Sequence, residues 1–113
     1  MKEITNRSAL IVFPKDPYKE WAKLYNEEPN EDLEIRLKEK HVYLIHWTYD
    51  EDIIDVLEPY YLKIFEYELL SWNGYESEWP ENRSWELFRE WFEVNLCDEL
   101  IDLETERIKL EKL

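Results

Sequence analysis

Two side chains stand out as fit for chemistry. Glu68 lies between two apolar stripes of one helical stretch, and Arg83 sits in a loop just before another. Ile64 falls one turn before Glu68, Trp72 one turn after it and Tyr61 two turns back. Such surroundings desolvate a carboxylate and raise its pKa, which is how catalytic acids are made. The same placement suits an acid whose charge is met by an arginine or a tyrosine hydroxyl and which holds two elements in register. Arg83 belongs to the loop Trp79-Pro80-Glu81-Asn82-Arg83-Ser84, where its planar fork can meet a carboxylate or phosphate beside a helix start. It can equally neutralise Glu68, Glu78 or Glu81. A small enzyme or small-molecule binder built on Glu68 and Arg83 requires both side chains to converge with a ring in one concavity.

Other residue types offer less. His41 and His46 are five positions apart on an expected strand and so point to opposite faces, which rules out a shared metal there. With the lone Cys97 they form no zinc spacing, and no metal or cofactor is expected. A Cys/His nucleophile pair has no support beyond the presence of the residues. Asp50, Glu51, Asp52 and Asp55 resemble calcium ligands in type, but the EF-hand spacing and its glycine are missing, so they read as helix-start charge. A single glycine, Gly74, excludes a glycine-rich phosphate cradle and a nucleophile elbow.

These residues are positioned by short elements. Ala9 to Phe13 is a continuous apolar run ended by Pro14, a strand covered on both faces. Asp16 as N-cap with Pro17 in the first turn begins a helix over 17–25, with Trp21, Leu24 and Tyr25 on one face. Asn26 to Pro29 breaks it, and Asn30 caps a weaker turn or two with Leu33 and Leu37, where Glu34 and Lys38 are spaced to pair. Val42 to Trp47 is a second strand; if neighbouring the first, it is expected to be parallel to it. The acids at 50–52 open a helical stretch over 51–72, kinked or broken at Pro59 and stopped by Asn73-Gly74. Ser84 caps a last helix over 84–92, where Trp85, Leu87, Phe88, Trp91 and Phe92 cover about half the circumference and Arg89 can pair with Glu93. A third strand is expected at 99–103, and 105–113 as a helical turn or a frayed tail. Two Asn-Arg-Ser copies, at 6–8 and 82–84, read as local turn or cap chemistry. The expected fold is one α+β domain over 1–113 with two layers, three or so strands under the helices.

Charge is distributed unevenly along this chain. Residues 49–106 hold 18 acids against Lys63, Arg83 and Arg89, together with 12 aromatics, within a total net charge of −14. A hydrophobic content of 44% shows that the charge sits on something that folds. Such a field acts on partners and on-rates. It disfavours direct binding of DNA or RNA, which needs a basic footprint, and it is repelled by anionic membranes. One cysteine and no signal-like opening point to the cytoplasm. The wide apolar helix faces are either core or an interface rich in Trp and Tyr. The leading expectation is a non-catalytic interaction module whose acidic, aromatic second half meets a basic protein or a second copy as a homodimer. Its candidate interaction or ligand residues are Glu68, Trp72, Trp79, Arg83, Trp85 and Trp91. Mimicry of nucleic-acid charge is the extreme form of this idea.

One pattern extends over most of the chain. It runs from Asn6-Arg7-Ser8-Ala9-Leu10 through Pro14-Lys15, Pro17 and Trp21 to Ile64-Phe65-Glu66, Glu68-Leu69 and Trp72. It ends with Trp79-Pro80, Arg83-Ser84, Phe88 and Trp91-Phe92. Together these residues resemble an uncharacterised family of small acidic bacterial proteins. The resemblance implies a bacterial origin, places Arg7, Trp21, Glu68, Trp79 and Arg83 in a common pattern, and brings no activity with it. Tyr60-Tyr61 and the Pro59 break depart from that pattern.

Overall fold

The computed structural model describes residues 1–25, 31–49 and 51–113, so the break expected at Asn26 to Pro29, the Asn30 cap and Asp50 lie outside the described residues. The first layer is a three-stranded antiparallel sheet of β2 (Arg7–Pro14), β3 (His41–His46) and β4 (Phe92–Cys97), with β2 in the centre. A two-stranded ribbon, β1 (Lys2–Ile4) with β5 (Leu100–Asp102), continues the β2 and β4 chains beyond the sheet. The second layer holds α1 (Asp16–Leu24), α2 (Glu31–Arg36), α3 (Ile53–Leu57), α4 (Tyr61–Trp72) and α5 (Trp85–Trp91). This is the α+β class expected from the sequence.

β2 and β3 are antiparallel, with Leu10 opposite Tyr43 and Val12 opposite His41, which corrects the expected parallel pair. The reason is the connection. A single crossover helix returns the chain to the start of a strand, whereas two helical segments, α1 and α2, separate β2 from β3. The chain therefore re-enters the sheet from the end where β2 finished.

β4 was not legible as a strand. Its residues follow α5 without a break, and Phe92 serves both as the C-cap of that helix and as the first strand residue. The expected third strand does form at Leu100–Asp102, but it pairs with β1 and not within the main sheet. Beyond it, residues 105–113 are exposed and adopt no helix or strand.

Caps explain most helix limits. Asp52 accepts from Ile54 N to begin α3, Pro59 separates α3 from α4, and Ser84 accepts from Leu87 N to begin α5. Asp16, in contrast, is the first residue of α1; the N-cap is Lys15, whose side chain makes no cap bond. Gly74 has no positive φ, so α4 is not ended by a left-handed glycine. Asn73 ends it, with its Oδ1 accepting from Tyr75 N at 2.8 Å. Glu93 lies in β4, so the helical Arg89 to Glu93 pair does not arise; Arg89 instead sits 5.6 Å from the Trp85 ring.

The core is a cluster of rings. Phe65 is fully buried and its centroid lies 5.7 Å from Phe88, 5.7 Å from Trp91 and 5.6 Å from Phe92. Tyr18, Trp21 and Ala22 of α1 and Leu10 and Val12 of β2 close around it. The broad apolar face of α5 is thus mostly core, because three helices and a sheet share the task of covering it. The other side of the sheet is different: Val42 and Leu44 of β3 are 60% and 54% exposed, and Ile11 and Phe13 of β2 are only half-buried, so β2 is covered fully only on its helix side.

Candidate functional site

Glu68 is the one buried acid among the described residues, and its partners come from β3. Tyr43 Oη donates to Glu68 Oε1 at 2.9 Å, and His41 Nδ1 lies 3.0 Å from Oε1 and 2.9 Å from Oε2. His41 and Tyr43 are two residues apart on one strand and therefore share its inner face. The backbone of Glu68 is held as well: Tyr18 Oη and Ser71 Oγ both donate to its carbonyl, at 2.9 and 2.8 Å. A proton on His41 Nδ1 donates to the carboxylate, and in the neutral ring that tautomer leaves Nε2 as an acceptor.

Burial pushes the Glu68 carboxyl above its ordinary value, while the His41 charge and hydrogen bond and the Tyr43 hydroxyl pull it back. Burial, then the charge of Glu68, pushes the phenols of Tyr18 and Tyr43 far above their usual range. The cluster is thus a carboxylate with its charge met by hydrogen bonds, tying α4 to β3 and α1.

A cleft beside it is lined by Pro14, Tyr18, Arg36, His41, Glu68 and Trp72, among others, and encloses about 60 Å³. That space holds a few waters, far below the ~300 Å³ of a small-molecule site. A carboxylate-oriented imidazole can act as a general base. Here the cleft has no room for a substrate, and the hydroxyl of Ser71 that lines it donates to the Glu68 carbonyl. A wider depression of about 520 Å³, lined by Tyr49, Glu51, Leu96 and Asp98 among others, shares no residue with this cleft.

The remaining candidates are dispersed. Trp72 lines the cleft; its Nε1 donates to Ala22 O at 2.7 Å, and the Arg36 guanidinium lies 4.5 Å from its ring centroid. Arg83 does not meet Glu68. It donates to Pro80 O at 2.9 Å, stacks 5.8 Å from the Trp79 ring and lies 3.8 Å from Glu66 and 4.0 Å from Glu76. Glu66 and Glu68 are two residues apart on α4 and face opposite ways, which separates the two candidates. Trp79 Nε1 donates to Asn73 O at 2.7 Å and closes the loop after α4. Trp85 packs edge-on to Tyr61, and Trp91 is buried in the ring core.

Local turn chemistry accounts for the second Asn-Arg-Ser copy but not the first. Ser8 reaches across the sheet, donating to Thr48 O and accepting from Thr48 N. Tyr43, Tyr18 and Arg36 escaped the sequence analysis, which weighed His41 only as a metal ligand or nucleophile partner; the one signal for the His41 and Tyr43 pair was their i, i+2 spacing on the strand. Among the described residues no group of three His, Cys, Asp or Glu side chains converges on a metal position, and no helix is long and apolar enough to cross a membrane.

Comparison with known proteins adds no family to this geometry. The chain matches no family model, no curated protein and no solved structure.

Proposed function

We propose that the protein is a non-catalytic interaction module that presents the acidic outer side of α3 to α5 to a basic protein partner. One observation carries the reading: in the second half Phe65, Phe88, Trp91 and Phe92 are buried in the core, while every described acid there except Glu68 stays at least partly exposed. Glu58, Glu81, Glu86 and Glu90 are all on the surface, with Glu86 and Glu90 one turn apart on α5. Displayed charge of one sign speeds and selects encounters with the opposite sign. A bacterial origin and a cytoplasmic setting belong to the same proposal.

Affinity capture from the native lysate tests it, with a Glu86→Gln/Glu90→Gln variant as control. The expected partner is basic, is released as salt rises from about 0.1 to 0.5 M, and is captured several-fold less by the control. An acidic partner, or binding that strengthens with salt, sinks the proposal.

Self-association is the second reading, favoured by the outer face of the sheet. Across it Lys40 lies 5.6 Å from the Phe13 ring, Phe13 pairs with Glu93, and Ile11 pairs with both Val42 and Asn95. A twofold axis parallel to β2 sets Lys40 of one copy against Glu93 of the other and Ile11 against its equivalent. An axis across the strands brings Lys40 toward the basic end at Arg7 and His46. So small a face gives a weak dimer, observable by sedimentation at about 0.1–1 mM. Lys40→Glu or Glu93→Lys alone should abolish it and the double exchange restore it; a wild type that stays monomeric over that range excludes it.

A further inference from the structure

Trp72 lines two openings. One is the Glu68 cleft, where Arg36 lies over the ring. The other is an open groove of about 410 Å³ bounded by Tyr25, Trp72, Gly74, Tyr75 and Glu78, and among the described residues no lysine or arginine lines it. Its walls are fixed from behind. Trp72 Nε1 is bonded to Ala22 O, Tyr25 Oη donates to Glu78 O at 3.2 Å, and Glu78 Oε2 accepts from Asn73 Nδ2 at 2.6 Å. Tyr75 is 72% exposed, so its ring is free to meet a ligand from solvent.

Three aromatic walls with one carboxylate are the chemistry that holds an organic cation. Ring faces carry negative charge density, a carboxylate supplies the counter-ion, and an alkyl stem lies against the apolar walls. The net charge of −14 raises the local concentration of any such cation. We propose that this groove seats one lysine-type alkylammonium side chain of the basic partner, between Tyr25, Trp72 and Tyr75, with its charge at Glu78. The assignment rests on the interaction reading above and adds the pocket and the chemical class of its occupant.

Gly74 supplies a clean test. It has no positive φ, and a Cβ built on it meets nothing within 4 Å, so Gly74→Phe fills the groove without straining the backbone. The probe is a peptide of lysine, glycine and serine, titrated by NMR into wild type, Gly74→Phe, Tyr75→Ala and Glu86→Gln/Glu90→Gln, each verified as folded by thermal unfolding. Wild type should show saturable shifts at the Trp72 indole N–H and the Tyr75 amide. Both groove variants should bind at least about tenfold more weakly, within the range of cation–π contacts reinforced by a carboxylate. If both bind like wild type while the α5 variant loses the peptide, the groove assignment is wrong and the acidic-surface reading stands. If wild type does not bind the peptide, both are overturned.

Discussion

Phe65→Ala should destabilise the domain by about 3–5 kcal/mol and lower its melting temperature by on the order of 10–20 °C. Phe65 is fully buried, at the point where α4, α5 and β4 meet, and touches Phe88, Trp91 and Phe92 by ring contacts. Removing its ring loses the transfer energy of one of the two largest fully buried side chains, Phe65 and Phe88, and leaves a cavity walled by other rings. Stiff aromatic walls collapse poorly into such a space, so the cost should sit in the upper part of the usual range. Since whole domains are stable by about 5–15 kcal/mol, the variant should be close to its unfolding threshold at 37 °C. Urea unfolding followed by near-UV circular dichroism measures this. A loss below about 1 kcal/mol would mean that the ring cluster is not the centre of the fold.

The second large effect belongs to Glu68. Glu68→Leu removes the acceptor of both Tyr43 and His41 and should cost on the order of 3 kcal/mol at pH 7. Part of that is the desolvation of a stranded phenol, so adding Tyr43→Phe to Glu68→Leu should recover a portion of it. A double variant less stable than the single one argues against the cluster as drawn. Glu68→Gln keeps the shape and one acceptor, and isolates the charge.

The pH dependence has a definite sign. Burial raises the Glu68 carboxyl above its ordinary value of 4.5, so between 4.5 and the raised value the native state binds more protons there than the unfolded chain. The stability contributed by this group is therefore fully present below pH 4.5 and is lost as pH rises through the raised value. Wild type should gain on Glu68→Gln as the pH is lowered from 7 toward 4.5, as read from the difference between their urea midpoints. A difference that shrinks over the same interval would show that the Glu68 pKa is lowered in the fold.

How much of this was written in the sequence differs from element to element. Ser84, Asp52 and Pro59 act within a few residues of themselves, and the helix limits they set were visible directly. β4 was hidden because its residues continue from a helix without a turn signal, and its strand character comes from pairing with β2, some eighty positions away in the chain. The wide apolar face of α5 was visible as a pattern, but only the packed helices decided that it is core. Glu68 was legible as a desolvated acid because its apolar neighbours lie one and two turns away on the same helix. Its partners were not, since His41 and Tyr43 are 27 and 25 residues distant and reach it only through the sheet.

By itself, then, the sequence determined an α+β domain, a strongly acidic second half and a carboxyl set among apolar side chains. Those properties depend on composition and on periodicities of two and 3.6 residues, which are local. Only the tertiary structure decided that the strands run antiparallel, that Glu68 meets an imidazole and a phenol while Arg83 faces other acids, and that Tyr25, Trp72, Tyr75 and Glu78 share one groove. Each of these joins segments distant in the chain, and such meetings are set by how whole elements pack.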